Sequence, residues 1–214
     1  MSFLEKSVDL ARRMMYSQDP NQPEPIVEKP LPAPLLLEKS DLSKKLLTIS
    51  VLSMKKYENK LKNTKIIVII DYTKHSSKRR LYVVEIASGT VLRQHHVAHG
   101  SGSASSVDPG YAVKFSNTNM SKCSSVGAAM TAETYYGKYG LSLKIRGLED
   151  SNSNIYARAI VFHKSDYVTD AYIRKTGRCG LSWGCPAVDP TIKDSLVQLI
   201  KNGVFVYLNG KRYT

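Results

Sequence analysis

From Lys65 onward the chain is written as short apolar runs broken by Gly, Ser and Asn turns, and few folds accept that rhythm. Ile66-Ile67-Val68-Ile69-Ile70 is β-branched and uninterrupted, which predicts a buried strand. Leu81 to Ala87 and Val91 to Ala98 are strand-like and joined by Ser88-Gly89-Thr90, a hairpin signal. Residues 142–145, 157–162 and 204–208 read as further strands. His99 to Pro109 reads as a Gly/Ser loop, Tyr111 to Met130 as short extended pieces between polar turns, and Tyr135 to Gly140 as a turn. One late helix is expected from Pro190 to about Lys201, with Asp189 as N-cap and Pro190 at its first position. The expectation is a mainly β, β-rich α+β domain.

The first 64 residues have another texture. Residues 1 to about 17 can form a short amphipathic helix, and Asp19 to Pro34 carries Pro20, Pro23, Pro25, Pro30, Pro32 and Pro34, the composition of an extended linker or strap. Helical periodicity returns from about Asp41 to Lys60. The predicted division is an N-terminal helical arm with a Pro-rich linker over 1–64 and a β-rich domain over 65–214. Met1 to Tyr16 mixes charge with apolar residues and is not a secretion signal, and no later stretch is apolar enough to span a membrane.

Lys and Arg number 31 against 18 Asp and Glu, a formal charge of +13, which favours an anionic partner. The basic residues are scattered rather than striped with aromatics, so nucleic acid is not expected. The three cysteines, Cys123, Cys179 and Cys185, are an odd number, which leaves at least one free thiol or an intermolecular bridge. His95, His96 and His99 lack a carboxylate or Cys at ligand spacing, and no metal is expected. Asp166 and Asp170 read as a solvated loop. His99-Gly100-Ser101-Gly102-Ser103 lacks the Gly-Lys-Ser/Thr ending of a phosphate loop.

Two residues stand out chemically. Cys185 lies in Ser182-Trp183-Gly184-Cys185-Pro186-Ala187-Val188, and His163 ends the apolar run Ala159-Ile160-Val161-Phe162. A thiol becomes a nucleophile when an imidazole, a cation or a helix N-terminus favours its deprotonation. Gly184 lets backbone N–H groups converge near the sulfur, where they can hold an oxyanion, and Pro186 stiffens the exit of the turn. Taken singly, a Cys is commonly a small buried hydrophobe and a His a satisfied structural residue. Cys179, in Thr176-Gly177-Arg178-Cys179-Gly180, is the rival nucleophile. The tighter Gly-Cys-Pro turn favours Cys185.

At these residues the chain resembles the YkuD-like L,D-transpeptidases, in particular the murein L,D-transpeptidase catalytic domains. The resemblance rests on His163 followed by Ser182-Trp183-Gly184-Cys185, and on ordered text over roughly 65–210: Arg80-Leu81-Tyr82-Val83, Val97-Ala98-His99-Gly100, Phe115-Ser116-Asn117, Ser124-Ser125-Val126-Gly127, Tyr136-Gly137-Lys138, Gly147-Leu148-Glu149 and Arg158-Ala159-Ile160-Val161. It implies a mixed β-sandwich or barrel with the site in a cleft, Cys185 as nucleophile and His163 as its proton partner. It further implies a tautomer-fixing backbone carbonyl at Lys164, and oxyanion donors around Ser182, Trp183, Gly184 and Cys185. The implied substrate is a peptidoglycan tetrapeptide stem. D-alanine leaves, a thioester forms, and a second stem's amine yields a 3–3 cross-link; with water the product is a tripeptide, and a non-catalytic wall-binding domain is the alternative of another class. No cofactor is implied, and the location implied is the periplasm or cell envelope. His99, Arg178 and Tyr136 are further candidates for holding the substrate. Two positions depart from the family pattern: Lys164 follows the His where Gly is usual, and Leu181 precedes the Ser where Arg is usual.

Overall fold

The structure, a computed structural model, describes residues 40–210. The helix expected at 1–17 and the Pro-rich strap lie outside these residues.

The described chain runs helix α1 (Lys44–Lys55), strands β1 (Asn63–Asp71), β2 (Leu81–Glu85), β3 (Val91–His95), β4 (His99–Gly100), β5 (Gly127–Gly137), β6 (Gly140–Gly147) and β7 (Val161–Lys164), helix α2 (Asp170–Thr176), β8 (Leu181–Ser182), β9 (Ala187–Val188), helix α3 (Pro190–Ile200) and β10 (Val204–Asn209). Eight strands form one mixed sheet in the order β3-β2-β1-β10-β5-β6-β7-β9, while β4 and β8 make a separate two-stranded sheet.

The uninterrupted Ile66–Ile70 run is explained by two cores. Ile66, Val68 and Ile70 face one core with Ile192, Leu196, Val197 and Ile200 of α3. Ile67 and Ile69 face the other with Leu42, Leu46 and Met54 on and beside α1. Fully burying each such side chain contributes about 1.5–3 kcal/mol, so a polar residue anywhere in this run would be costly. The described part of the expected arm thus shares a core with the sheet. Both longer helices start on side-chain caps: Ser43 accepts from the Leu46 N–H at 3.4 Å, and Asp189 from the Thr191 N–H at 2.8 Å with Pro190 following.

Three elements differ from expectation. The stretch read as extended pieces and a turn contains the long strand β5, whose partner β6 returns after only Lys138-Tyr139, with Gly140 at φ +72°. Its buried first half is mostly small or polar in residue type and its second half is exposed, so apolar patterning was weak there. The strand expected over 157–162 starts at Val161, because Ile160 N–H bonds back to Ile155 O at 3.1 Å and Ala159 adopts φ +53°. The polar segment around Asp170 is the helix α2, capped by Thr169 and closed by Gly177 at φ +76°.

The segment 181–188 is gripped at both ends. Leu181 and Ser182 pair in parallel with His99 and Gly100. Ala187 and Val188 pair in parallel with His163 and Lys164. The turn between them carries Trp183, Gly184 and Cys185.

Candidate active site

The turn is locked by its own hydroxyl. Ser182 Oγ accepts from the Gly184 N–H at 3.1 Å and donates to Cys185 O at 2.7 Å, and the Ala187 N–H donates to the same carbonyl at 3.0 Å. Gly184 holds φ +114°, where side chains are strained, and a Cβ there would lie 2.6 Å from Cys123 O and 2.8 Å from Ile160 Cδ1. Gly100, with an ordinary backbone, is required by crowding alone, since its Cβ would lie 2.1 Å from Lys122 O and 2.8 Å from Gly184 Cα. Ser124 ties the two segments: its Oγ accepts from the Gly100 N–H at 3.0 Å and donates to Gly184 O at 3.3 Å. The committed Gly184 amide corrects one expectation, because that N–H is unavailable to an oxyanion. The Cys185 N–H has no acceptor among the described residues.

A cleft of about 620 Å³ opens over this turn. It is lined by Cys185, His163 and the segment Arg158–Val161, by Met120, Lys122 and Trp183, and by Tyr135, Lys138 and Tyr139. Trp183 is 68% exposed, with Lys122 Nζ 4.8 Å from its ring centroid. The cations Lys122, Lys138 and Arg158 line the cleft, and none of its described lining residues is a carboxylate.

His163 is only 5% exposed. Its Nδ1 pairs with Lys164 O at 2.8 Å, so Nδ1 carries the proton and Nε2 is left for the cleft. Tyr139 stacks on the imidazole at 4.5 Å between centroids. Burial pushes the imidazole below the usual histidine range, an effect the Lys164 carbonyl partly offsets. The half-buried Cys185 thiol donates to Ala159 O at 3.6 Å rather than to the imidazole. Burial raises it above the ordinary thiol value, opposed by the Val161 N–H and then by Arg158. Cys179 is fully buried, donates to Ser76 O at 3.1 Å, and is pushed up by burial to about 11. A thiol so enclosed is a structural one.

The three further substrate candidates do not line this cleft. His99 is 0% exposed, with Nδ1 accepting from buried Arg80 at 2.8 Å, because the β4–β8 pairing turns it inward. Arg178 bonds its neighbour's carbonyl, Cys179 O, at 2.8 Å. Tyr136 is 83% exposed, while its neighbour Tyr135 takes the inward place. Alternation along β5 allows only one of two consecutive tyrosines to face the cleft. Tyr139 and Lys138 had a readable signal in the Gly-Lys-Tyr-Gly turn. Arg158 stood only in the family-like run Arg158-Ala159-Ile160-Val161, and nothing local there pointed it toward the cleft.

A family model of the L,D-transpeptidase catalytic domain matches residues 38–208. No curated protein matches the chain. Among solved structures, the chain is similar to an L,D-transpeptidase (Yku) from Stackebrandtia nassauensis, at 18% identity, covering 78% of this chain and 67% of that one, with a TM-score of 0.40. It is similar to an L,D-transpeptidase from Xylanimonas cellulosilytica at 15% identity, over 68% and 61% of the two chains, with a TM-score of 0.38. An L,D-transpeptidase from Mycobacterium smegmatis matches at 10% identity, over 68% and 59%, with a TM-score of 0.40. The chain spans about three fifths of the length of the latter two.

Proposed function

The chain belongs to the L,D-transpeptidase catalytic-domain family, and from that premise we propose that it is a cysteine L,D-transpeptidase acting on peptidoglycan tetrapeptide stems. The observation that carries the reading is the Nδ1 bond to Lys164 O at 2.8 Å, which presents His163 Nε2 to the same cleft that Cys185 lines.

Burial disfavours both charged partners, so the resting pair is a neutral thiol and a neutral imidazole. The proton therefore moves to His163 Nε2 as Cys185 Sγ attacks the carbonyl carbon that follows the L-centre of diaminopimelate. The Cys185 N–H, which has no acceptor among the described residues, serves as the oxyanion donor. The C–N bond then breaks, the imidazolium returns its proton to the departing amine of D-alanine, and a thioester remains. A second stem's amine attacks that thioester, loses a proton through His163, and restores the thiol, leaving a 3–3 cross-link. Lys122, Lys138 and Arg158 suit a substrate bearing free carboxylates. Such a substrate places the enzyme at the cell envelope or in the periplasm. No helix among the described residues is long and apolar enough to cross a membrane.

The test is muropeptide mass spectrometry with wild type and Cys185→Ala. Wild type is expected to release D-alanine and form 3–3 dimers, and the variant to do neither. Free tripeptides without dimers would assign an L,D-carboxypeptidase instead. Wall remodelling retained by Cys185→Ala would sink the thiol mechanism and leave a wall-binding domain.

A further inference from the structure

We infer that Arg158 is a positioning residue for Cys185, its guanidinium supplying the positive field that favours the thiolate while holding the wall on which the thiol rests. The inference rests on Cys185 being the nucleophile.

The geometry is a fork spread over one loop. Arg158 Nη1 donates to Ser116 O at 2.6 Å and Ser125 Oγ at 2.8 Å, and Nη2 donates to Cys123 O at 2.6 Å and Ser121 Oγ at 3.2 Å. That loop backs the turn, since Cys123 O is the atom a Cβ on Gly184 would strike and Ser124 Oγ binds Gly184 O. The residue after Arg158 is Ala159, whose left-handed backbone aims the carbonyl that receives the Cys185 thiol. One side chain therefore fastens the support behind Gly184 to the support in front of the sulfur. A lysine offers no planar fork and cannot bridge four acceptors in this way.

The charge matters separately from the fork. All four acceptors are neutral carbonyls or hydroxyls, and Arg158 forms no ion pair among the described residues. No Asp or Glu is among the described residues lining the cleft. The guanidinium's field is thus uncompensated where Cys185 sits, and half-burial limits its screening by solvent. His163 does not supply this, because burial keeps it neutral at rest. Burial raises the thiol, and Arg158 is the cation that opposes it.

The experiment is peptide-resolved iodoacetamide alkylation of Cys185 across pH, on the full chain, with thermal unfolding recorded in parallel. It needs no peptidoglycan, so its failure is separate from failure of the substrate assignment. Arg158→Gln is expected to slow alkylation at neutral pH about tenfold, because the thiolate fraction falls when the opposing cation is lost. Arg158→Lys is expected to stay within about twofold of wild type, while D-alanine release falls as the loop loosens. A folded Arg158→Gln with the wild-type alkylation profile would overturn the inference. Where Arg158→Gln fails to fold, Arg158→Lys decides: a wild-type profile supports the inference, and a tenfold loss overturns it.

Discussion

His163 and His99 sit on strands that hold opposite ends of one turn. His99 pairs with Leu181 and His163 with Ala187, both in parallel register. Each is nearly or fully buried, and each has its Nδ1 engaged. The partners set them apart. His163 donates to a carbonyl and keeps Nε2 for the cleft, whereas His99 accepts from the buried guanidinium of Arg80, and its Nε2 is enclosed. Arg80 itself is 0% exposed and is held by Val97 O at 2.9 Å and Lys74 O at 2.8 Å besides His99. Removing an acceptor from a buried cation carries a larger penalty than removing a neutral hydrogen bond. The same residue type thus lines the cleft at one end of the turn and anchors a buried charge at the other.

The sharpest way to break this contrast is His163→Ala. Loss of a positioned general base lowers turnover by about 10²–10⁴-fold. The side chain forms one backbone bond and one ring stack, so unfolding free energy should move by no more than about 1–2 kcal/mol. D-alanine release and urea unfolding, measured on the same preparation, check both halves. Turnover near wild type would remove His163 from the chemistry.

Part of this arrangement was legible beforehand. The strand Ile66–Ile70, the capped helix at Pro190 and the His163–Cys185 pair each carry a local signal in residue type and spacing. The separate environments of the two histidines carry none. His99 follows an apolar run much as His163 does, and only the two-stranded β4–β8 pairing turns it from the cleft toward Arg80. Tyr136 and Tyr135 could not be ranked until the register of β5 against β6 fixed which one faces inward. Ser182 read as part of an oxyanion turn, but its hydroxyl is an internal lock that takes up the Gly184 amide. In each case the missing information is a long-range contact that sets which way a side chain or amide points.

His99→Leu tests the other member of the pair. It fills similar space but deprives Arg80 Nη2 of its acceptor, so a loss of about 1–3 kcal/mol in unfolding free energy is expected. The turn itself remains held by Ser182 and Ser124, and D-alanine release by the folded protein should stay within about tenfold of wild type. A stable variant as inactive as His163→Ala would show that His99 acts in the chemistry and would erase the distinction.

The finest contrast lies in the pH dependence of stability. Burial lowers both histidines and a backbone carbonyl opposes it in each, Pro109 for His99 and Lys164 for His163, but Arg80 lowers His99 further, to about 3, and no such cation acts on His163. A histidine lowered in the folded state binds more protons when unfolded. Its stabilisation is therefore complete above the unfolded value of about 6.5 and is lost as pH falls toward the folded one. For His99 that slope is about 1.4 kcal/mol per pH unit through the acid range. Urea unfolding of wild type, His99→Leu and His163→Ala at descending pH should show His99→Leu flattening the acid slope by close to one proton, and His163→Ala flattening it by less. Equal flattening by the two variants would mean that Arg80 does not hold His99 neutral, and the inward-facing histidine would then be no more committed to its partner than the one in the cleft.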